Sequence, residues 1–335
     1  MLSTLVNKVA SPCTVRSAWA LLILFCVAPT ASSDAIVKGT VADILGQPVA
    51  GATVRISHQG QQIQTGATDA AGKFSLEIEF GEAGNLDVVT EHTDFASSPL
   101  QIQISNFEPD EEEYAIRLVP KDLSGCVGMP GSIIVGRFLP PAAQPNADLT
   151  AHVHRVLSYR ILTGLQAQQV KDQLDPDKRY LAPQFVKCEG ATPSSEAQGL
   201  AMARALGGHG LVWGAVGAAQ QGFDIDASVA DAGGLLDPPI AAASHDVDLD
   251  HPREAAISPL ARTAILTGIM ANLESAGQCR AAIHVSNLVR TMTPDSLIGN
   301  VEAASWHRLV AADERIRERC QQNLPDAGLL AGGLL

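Results

Sequence analysis

From Val37 to about Val119, apolar residues recur at every second position in short runs. "VKGTVAD", "ATVRISH", "GKFSLEIEF", "NLDVVTE", "LQIQI" and "EYAIRLV" are six such runs, and Phe74, Leu76, Ile78 and Phe80 show the period most clearly. A period of two places alternate side chains on one face of an extended chain, so each run predicts a half-buried strand. Gly, Pro and Asp turns separate the runs, and no helical period interrupts them. Residues 34–121 therefore read as a small antiparallel β-sandwich of about seven strands.

The pattern changes after Lys121. "SIIVGRF" is a continuous apolar run suited to a strand buried on both faces. Beyond a bend at Pro140 and Pro141, Leu149, Val153, Val156, Leu157, Ile161 and Leu165 recur at helical spacing. "LAPQFVKC" reads as a second strand. "TPSSEAQGLAMARALGG" reads as a second helix, with Thr192 as N-cap, Pro193 at the first helical position and Gly207 or Gly208 at its end. "GLVWGAVGAAQQGFDIDASVADAGG" closes the unit as a hairpin, with Phe223, Ile225, Ala227 and Val229 inward and Asp224, Asp226 and Ser228 outward. The order β-α-β-α-β-β predicts a mixed α/β domain over 122–235. Residues 236–257 are rich in Pro, Ala and acid and read as a linker. From 258 to 324 three helices are expected, one with the stripe Ile265, Ile269 and Leu273 and another with Trp306, Leu309, Val310 and Ile316. Their expected place is against the α/β domain, with a tetratricopeptide-like pair as the alternative and residues 325–335 as a flexible tail. The fold class is thus multidomain α+β.

The chain's start belongs to none of these units. Lys8 and Arg16 precede the apolar run "AWALLILFCVA", and the small residues of "PTASSDA" follow, so residues 1–33 read as a secretory signal peptide cleaved near Ser33. A lipid anchor at Cys26 is disfavoured by the bulky Phe25 before it. No later run approaches the roughly 20 apolar residues of a spanning helix, so no stable membrane insertion is expected. Loss of Lys8 and Arg16 takes the net charge from −13 to −15. Such a surface repels phosphate backbones, and nucleic acid is not an expected partner. The expected location is periplasmic or secreted.

Export also frames the cysteines. Cys13 and Cys26 leave with the signal, and the remaining four are most simply read as two disulfides, with four free thiols as the alternative. Cys279 opens the second terminal helix and Cys320 lies near the end of the third. If those helices fold back antiparallel, the two return to similar height and Cys279 with Cys320 is the favoured bridge. Cys126 with Cys188 follows by exclusion, although the two flank opposite edges of a parallel β-α-β unit.

"VKGTVADILGQPVAGATVRI" followed by "TGATDAAGKFSLEI" resembles the carboxypeptidase regulatory-like domain, a transthyretin-like sandwich grouped with carbohydrate-binding-like folds. Gly39 in the first strand, the turn at Gly46 and Pro48, Gly51 and Ala52 at the second strand and the hairpin "TDAAGKF" carry the resemblance. It implies an accessory binding module with no catalytic residues of its own. Asp43 and Asp69 then have two readings: a calcium or sugar site, or turn chemistry, which is favoured. Residues 122–235 are similar to the amino-terminal domain of TolB-like periplasmic proteins, on Gly214, the turn at Gln220 to Gly222, and Asp231 to Gly233. That similarity implies protein contacts in the periplasm.

One stretch invites a chemical reading. "HDVDLDH", from His245 to His251, holds three carboxylates and two imidazoles. In an extended linker Asp246, Asp248 and Asp250 would share one side, and His245, His251, Val247 and Leu249 the other, which divides the ligand types. The spacing also matches the opening of an EF-hand loop, but His251 stands where the turn Gly belongs and Ile257 where the bidentate Glu belongs. A solvated acidic linker is expected, and replacing the three aspartates with Asn should leave stability unchanged. There is no G-x-S-x-G, H-E-x-x-H, P-loop or C-x-x-C. His209, in "GGHG", reads as part of a helix C-cap before it reads as a base. The expected protein is a non-enzymatic, exported binding or assembly protein of the cell envelope. It takes no cofactor and contacts another protein or a glycan. The alternative is a cross-domain, metal-dependent hydrolase using residues 245–251.

Overall fold

A computed structural model describes residues 33–80, 84–104, 113–127, 131–141, 148–171, 183–292 and 303–323. The expected signal segment, apart from Ser33, and the expected tail lie outside the described residues. No helix among the described residues is long and apolar enough to cross a membrane.

The first unit packs two sheets face to face. One has the order β4-β1-β7, from β1 (Ser33–Asp43), β4 (Lys73–Phe80) and β7 (Glu113–Leu118). The other has the order β3-β2-β5-β6, from β2 (Thr53–His58), β3 (Gln61–Ala67), β5 (Gly84–His92) and β6 (Phe95–Ile104). The period-two positions fill the space between them, among them Val37, Val54, Ile56, Phe74, Leu86 and Ile116. All pairings are antiparallel except β1 with β7, which is parallel. Strand β3 carried no legible period. It is an edge strand with no fully buried residue, so Gln61, Gln62 and Gln64 do not alternate with apolar partners.

Asp43 and Asp69 each organise a turn. Asp43 Oδ1 accepts from Leu45 N and Gln47 N, both at 2.8 Å, ahead of Gly46 at φ 82°. Asp69 Oδ1 accepts from Ala71 N at 2.9 Å and Lys73 N at 2.8 Å. Gly72, at φ 71°, sits where a Cβ would run into the carbonyl of Val41, so only glycine closes this hairpin.

The second unit is a five-stranded sheet of order β12-β11-β10-β8-β9. It comprises β8 (Ser132–Leu139), β9 (Gln184–Lys187), β10 (Gly210–Ala218), β11 (Phe223–Asp231) and β12 (Ile240–Val247). The first three are parallel, joined by α1 (Leu149–Lys171) and α2 (Glu196–Leu206), and the last two continue antiparallel. The second helix starts later than its sequence suggests. Its N-cap is Ser195, whose Oγ accepts from Gln198 N, while Thr192 and Pro193 lie in the preceding loop. It ends on Gly207 in the left-handed conformation.

Strand β12 overturns the linker reading of 236–257. Seven apolar residues of this stretch, Leu236, Ile240, Ala242, Val247, Leu249, Ala255 and Ile257, are buried in the main core. The composition is that of a loop, yet alanines at alternate positions suffice for an edge strand when a helix covers them. That cover is α3 (Pro259–Ser275), buried around most of its circumference from Leu260 to Leu273 because the sheet lies on one side and two more helices on the other. These are α4 (Cys279–Met292) and α5 (Ala303–Asn323).

Disulfides join Cys126 to Cys188 and Cys279 to Cys320, with Cα separations of 5.9 and 4.9 Å. The first lies in a second core on the opposite face of the sheet. There Ile44 and Leu123 pack with Ile134, Trp213 and the α2 residues Leu200, Ala203 and Leu206. The sandwich and the sheet thus share apolar contacts, not only a chain crossing.

Candidate functional site

The segment from His245 to His251 is built on a β-bulge. Phe223 pairs with Val247 and Ile225 with Ser244, so Asp224 alone faces both His245 and Asp246. Asp246 takes a positive φ of 51°, which breaks the alternation expected of an extended run. His245 and Asp246 therefore turn outward together, while Val247 and Leu249 go into the core. Asp224 Oδ1 accepts from Asp246 N at 3.2 Å and lies 3.2 Å from His245 Nδ1. Asp246 Oδ1 accepts from Gln221 N at 3.3 Å across the neighbouring hairpin.

The next carboxylate closes a turn. Asp248 Oδ1 accepts from Asp250 N at 2.9 Å and His251 N at 3.0 Å, and its Oδ2 lies 2.7 Å from His251 Nδ1. The shared hydrogen bond holds Asp248 below the usual carboxylate range and raises His251. Asp250 lies 3.7 Å from His152 Nδ1 on α1. Each of the three imidazoles thus has its own carboxylate. Among the described residues, no three His, Cys, Asp or Glu come together in an arrangement that could hold a metal ion. An open concavity of about 560 Å³ is lined by Ala218, Gln220, Asp224, His245 and Asp246.

His209 stands apart from the helix cap, two residues beyond Gly207. Its carbonyl accepts from Asn272 Nδ2 at 2.8 Å and from Ala232 N at 3.3 Å, tying α3 to the top of β10. Burial pushes its ring down to about 4, partly offset by Asn272, so the imidazole is neutral near pH 7.

The sandwich carries a second concavity, of about 570 Å³, where β5 turns into β6 beside Lys121. It is lined by Glu91, His92, Thr93 and Phe95 to Ser97 of that turn, with Gly51 and Thr53 at the start of β2. His92 and Phe95 meet edge to face with ring centroids 5.2 Å apart. Lys121 Nζ donates to Thr93 O at 2.7 Å, and Glu91 pairs with Arg55. The groove therefore offers ring faces, a fixed ammonium and a carboxylate within one open cleft. Nothing in the spacing of these residues marks them in the sequence. They converge because the turn between β5 and β6 meets the strand exit at Pro120, through a bridge with Phe95.

Residues 36–118 match the family model of the carboxypeptidase regulatory-like domain. The match ends before the α/β unit. No curated protein matches the chain. Among solved structures, a 5-hydroxyisourate hydrolase from Klebsiella pneumoniae is 19% identical with a TM-score of 0.22, over 26% of this chain and 91% of that one. A 3-chlorocatechol 1,2-dioxygenase from Rhodococcus opacus 1CP is 14% identical with a TM-score of 0.22, over 27% of this chain and 60% of that one. A streptococcal ancillary pilin is 15% identical with a TM-score of 0.22, over 26% of this chain and 30% of that one.

Proposed function

We propose that this is an exported, non-enzymatic binding or assembly protein of the cell envelope, which contacts another protein or a glycan through its carboxypeptidase regulatory-like sandwich and its α/β domain. The groove at the turn between β5 and β6 carries the proposal. A glycan or peptide presents alternating apolar and polar edges, and this cleft sets His92 and Phe95 beside Glu91 and Lys121. The leader-like start of the chain and two bonded cysteine pairs support a periplasmic or secreted location. The segment 245–251 supports this reading over a hydrolase, since its carboxylates hold a bulge and a turn and its imidazoles are paired one by one.

The test is affinity capture from envelope extract with the mature chain as bait. A protein or glycan retained by the wild type should be lost when His92→Ala and Phe95→Ala are combined. Equal retention by both baits would remove the groove from the proposal.

A further inference from the structure

A sheet edge leaves every second residue's N–H and C=O without a strand partner, and proteins normally cover or blunt such edges. Five of the sheet edges follow that rule. Strands β3 and β4 close on one another, with Gln64 Nε2 donating to Glu77 O at 3.0 Å. On the other side of the sandwich Ala96 N donates to Val119 O and Lys121 N to Asp94 O, joining β6 to the exit of β7. In the second unit β9 is only 4 residues long, carries Lys187 and has His154 Nε2 2.9 Å from Phe185 O.

Strand β12 does not. It is 8 residues long and ends its sheet. Residues 240–244 read Ile-Ala-Ala-Ala-Ser, with neither charge nor proline. Among the described residues no hydrogen bond reaches the outward backbone groups of that run. Its covering helix α3 lies mainly under β11, and α2 packs on β10 and β11. Ala241 is therefore exposed and Ala243 half-buried, on the face that α2 leaves open. The two ends of the strand also differ in charge. At its start Arg308 donates to Pro238 O, and Arg204 lies 3.9 Å from Asp237. At its end Asp224 and Asp246 stand beside His245. The edge thus runs from two guanidiniums with one carboxylate to two carboxylates with one imidazole.

We propose that β12 is a homodimer interface, pairing antiparallel with β12 of a second copy so that the two sheets become one. Two-fold symmetry sets one residue opposite itself, and with Ala242 on the axis Pro238 of one copy lies level with Asp246 of the other. Each arginine-bearing end then meets the acidic end of its partner, whereas a parallel pairing would set like charges side by side. The alanines leave no bulk along the seam. The interface is independent of the sandwich groove.

The mass of the full mature chain is followed by analytical ultracentrifugation from nanomolar to high micromolar concentration, since one strand pair is small for an interface. A monomer–dimer equilibrium is expected, with slower amide exchange at residues 240–244 in the dimer than in the monomer. Ala241→Lys combined with Ala243→Lys should leave only monomer, because like charges then face each other across the seam. Arg308→Glu should weaken the dimer about tenfold, and by less in high salt. A cooperative urea transition checks that each variant folds. A chain that stays monomeric throughout, a dimer that survives both sets of substitutions unchanged, or a dimer without added protection at residues 240–244 would overturn the proposal, whether or not a strand of another protein takes the edge.

Discussion

Asp231 and His209 show how much one side chain's surroundings decide. Asp231 is fully buried at the end of β11, and its two oxygens accept from Leu235 N and Leu236 N, closing the loop that leads to β12. Asp231→Ala leaves those amides without an acceptor and should lower stability by about 2 to 3 kcal/mol in urea unfolding. His209 acts through its protonation. The fold holds the ring near 4 and the unfolded chain titrates near 6.5, so the unfolded state binds the extra proton between those values. The stabilising contribution of the neutral ring is complete above about pH 6.5. It is lost as pH falls toward 4, by at most about 3 kcal/mol. His209→Gln should flatten the difference in stability between pH 7 and pH 4 relative to wild type, read from denaturant midpoints at each pH.

At the scale of elements, the bulge in β12 is held by Asp224, and replacing Asp246, Asp248 and Asp250 together should be destabilising, contrary to what a solvated linker predicts. Asn keeps an acceptor oxygen at each position but removes the charge, so the bonds to the Gln221, Asp250 and His251 amides and the contact of Asp248 with His251 weaken, a small loss because the sites are exposed. The triple Asn variant should therefore show a lower urea midpoint. Helix α2 supplies a second case. Propensity alone makes Gly199→Ala stabilising by about 1 kcal/mol. A Cβ there would collide with the Trp213 ring of β10, so the variant should instead melt below wild type. Helices α4 and α5 are pinned by Cys279 and Cys320, 41 residues apart. Loop entropy sets the cost of Cys279→Ser with Cys320→Ser at about 4 kcal/mol, measurable by unfolding with and without reductant.

For the whole molecule, the decisive feature is the apolar seam between the sandwich and the sheet. Ile44 and Leu123 lie in one cluster with Leu200, Ala203 and Leu206 of α2. A shared core couples the unfolding of its parts, since neither side keeps its buried surface alone. Wild type should give a single calorimetric transition that includes the sandwich. Leu123→Asp, which buries a charge in that seam, should separate the transition into two.

Periodicity and turn chemistry were enough to draw six sandwich strands, the alternating α/β order and the terminal helices, because each is a local pattern that buries one face in any context. Asp43, Asp69 and Gly72 were legible for the same reason: a turn is closed by residues within a few positions of one another. Strand β3, the start of α2 at Ser195 and strand β12 were not legible. An edge strand of glutamines and an alanine-rich strand under a helix have no period of their own, and only the neighbour that covers them makes them strands. The same holds for the sites. "HDVDLDH" stands out in the chain, yet a single left-handed residue at Asp246 and the facing Asp224 decide where its side chains go. The groove around His92 and Lys121 joins residues far apart in sequence, and their convergence exists only once the sheets have packed.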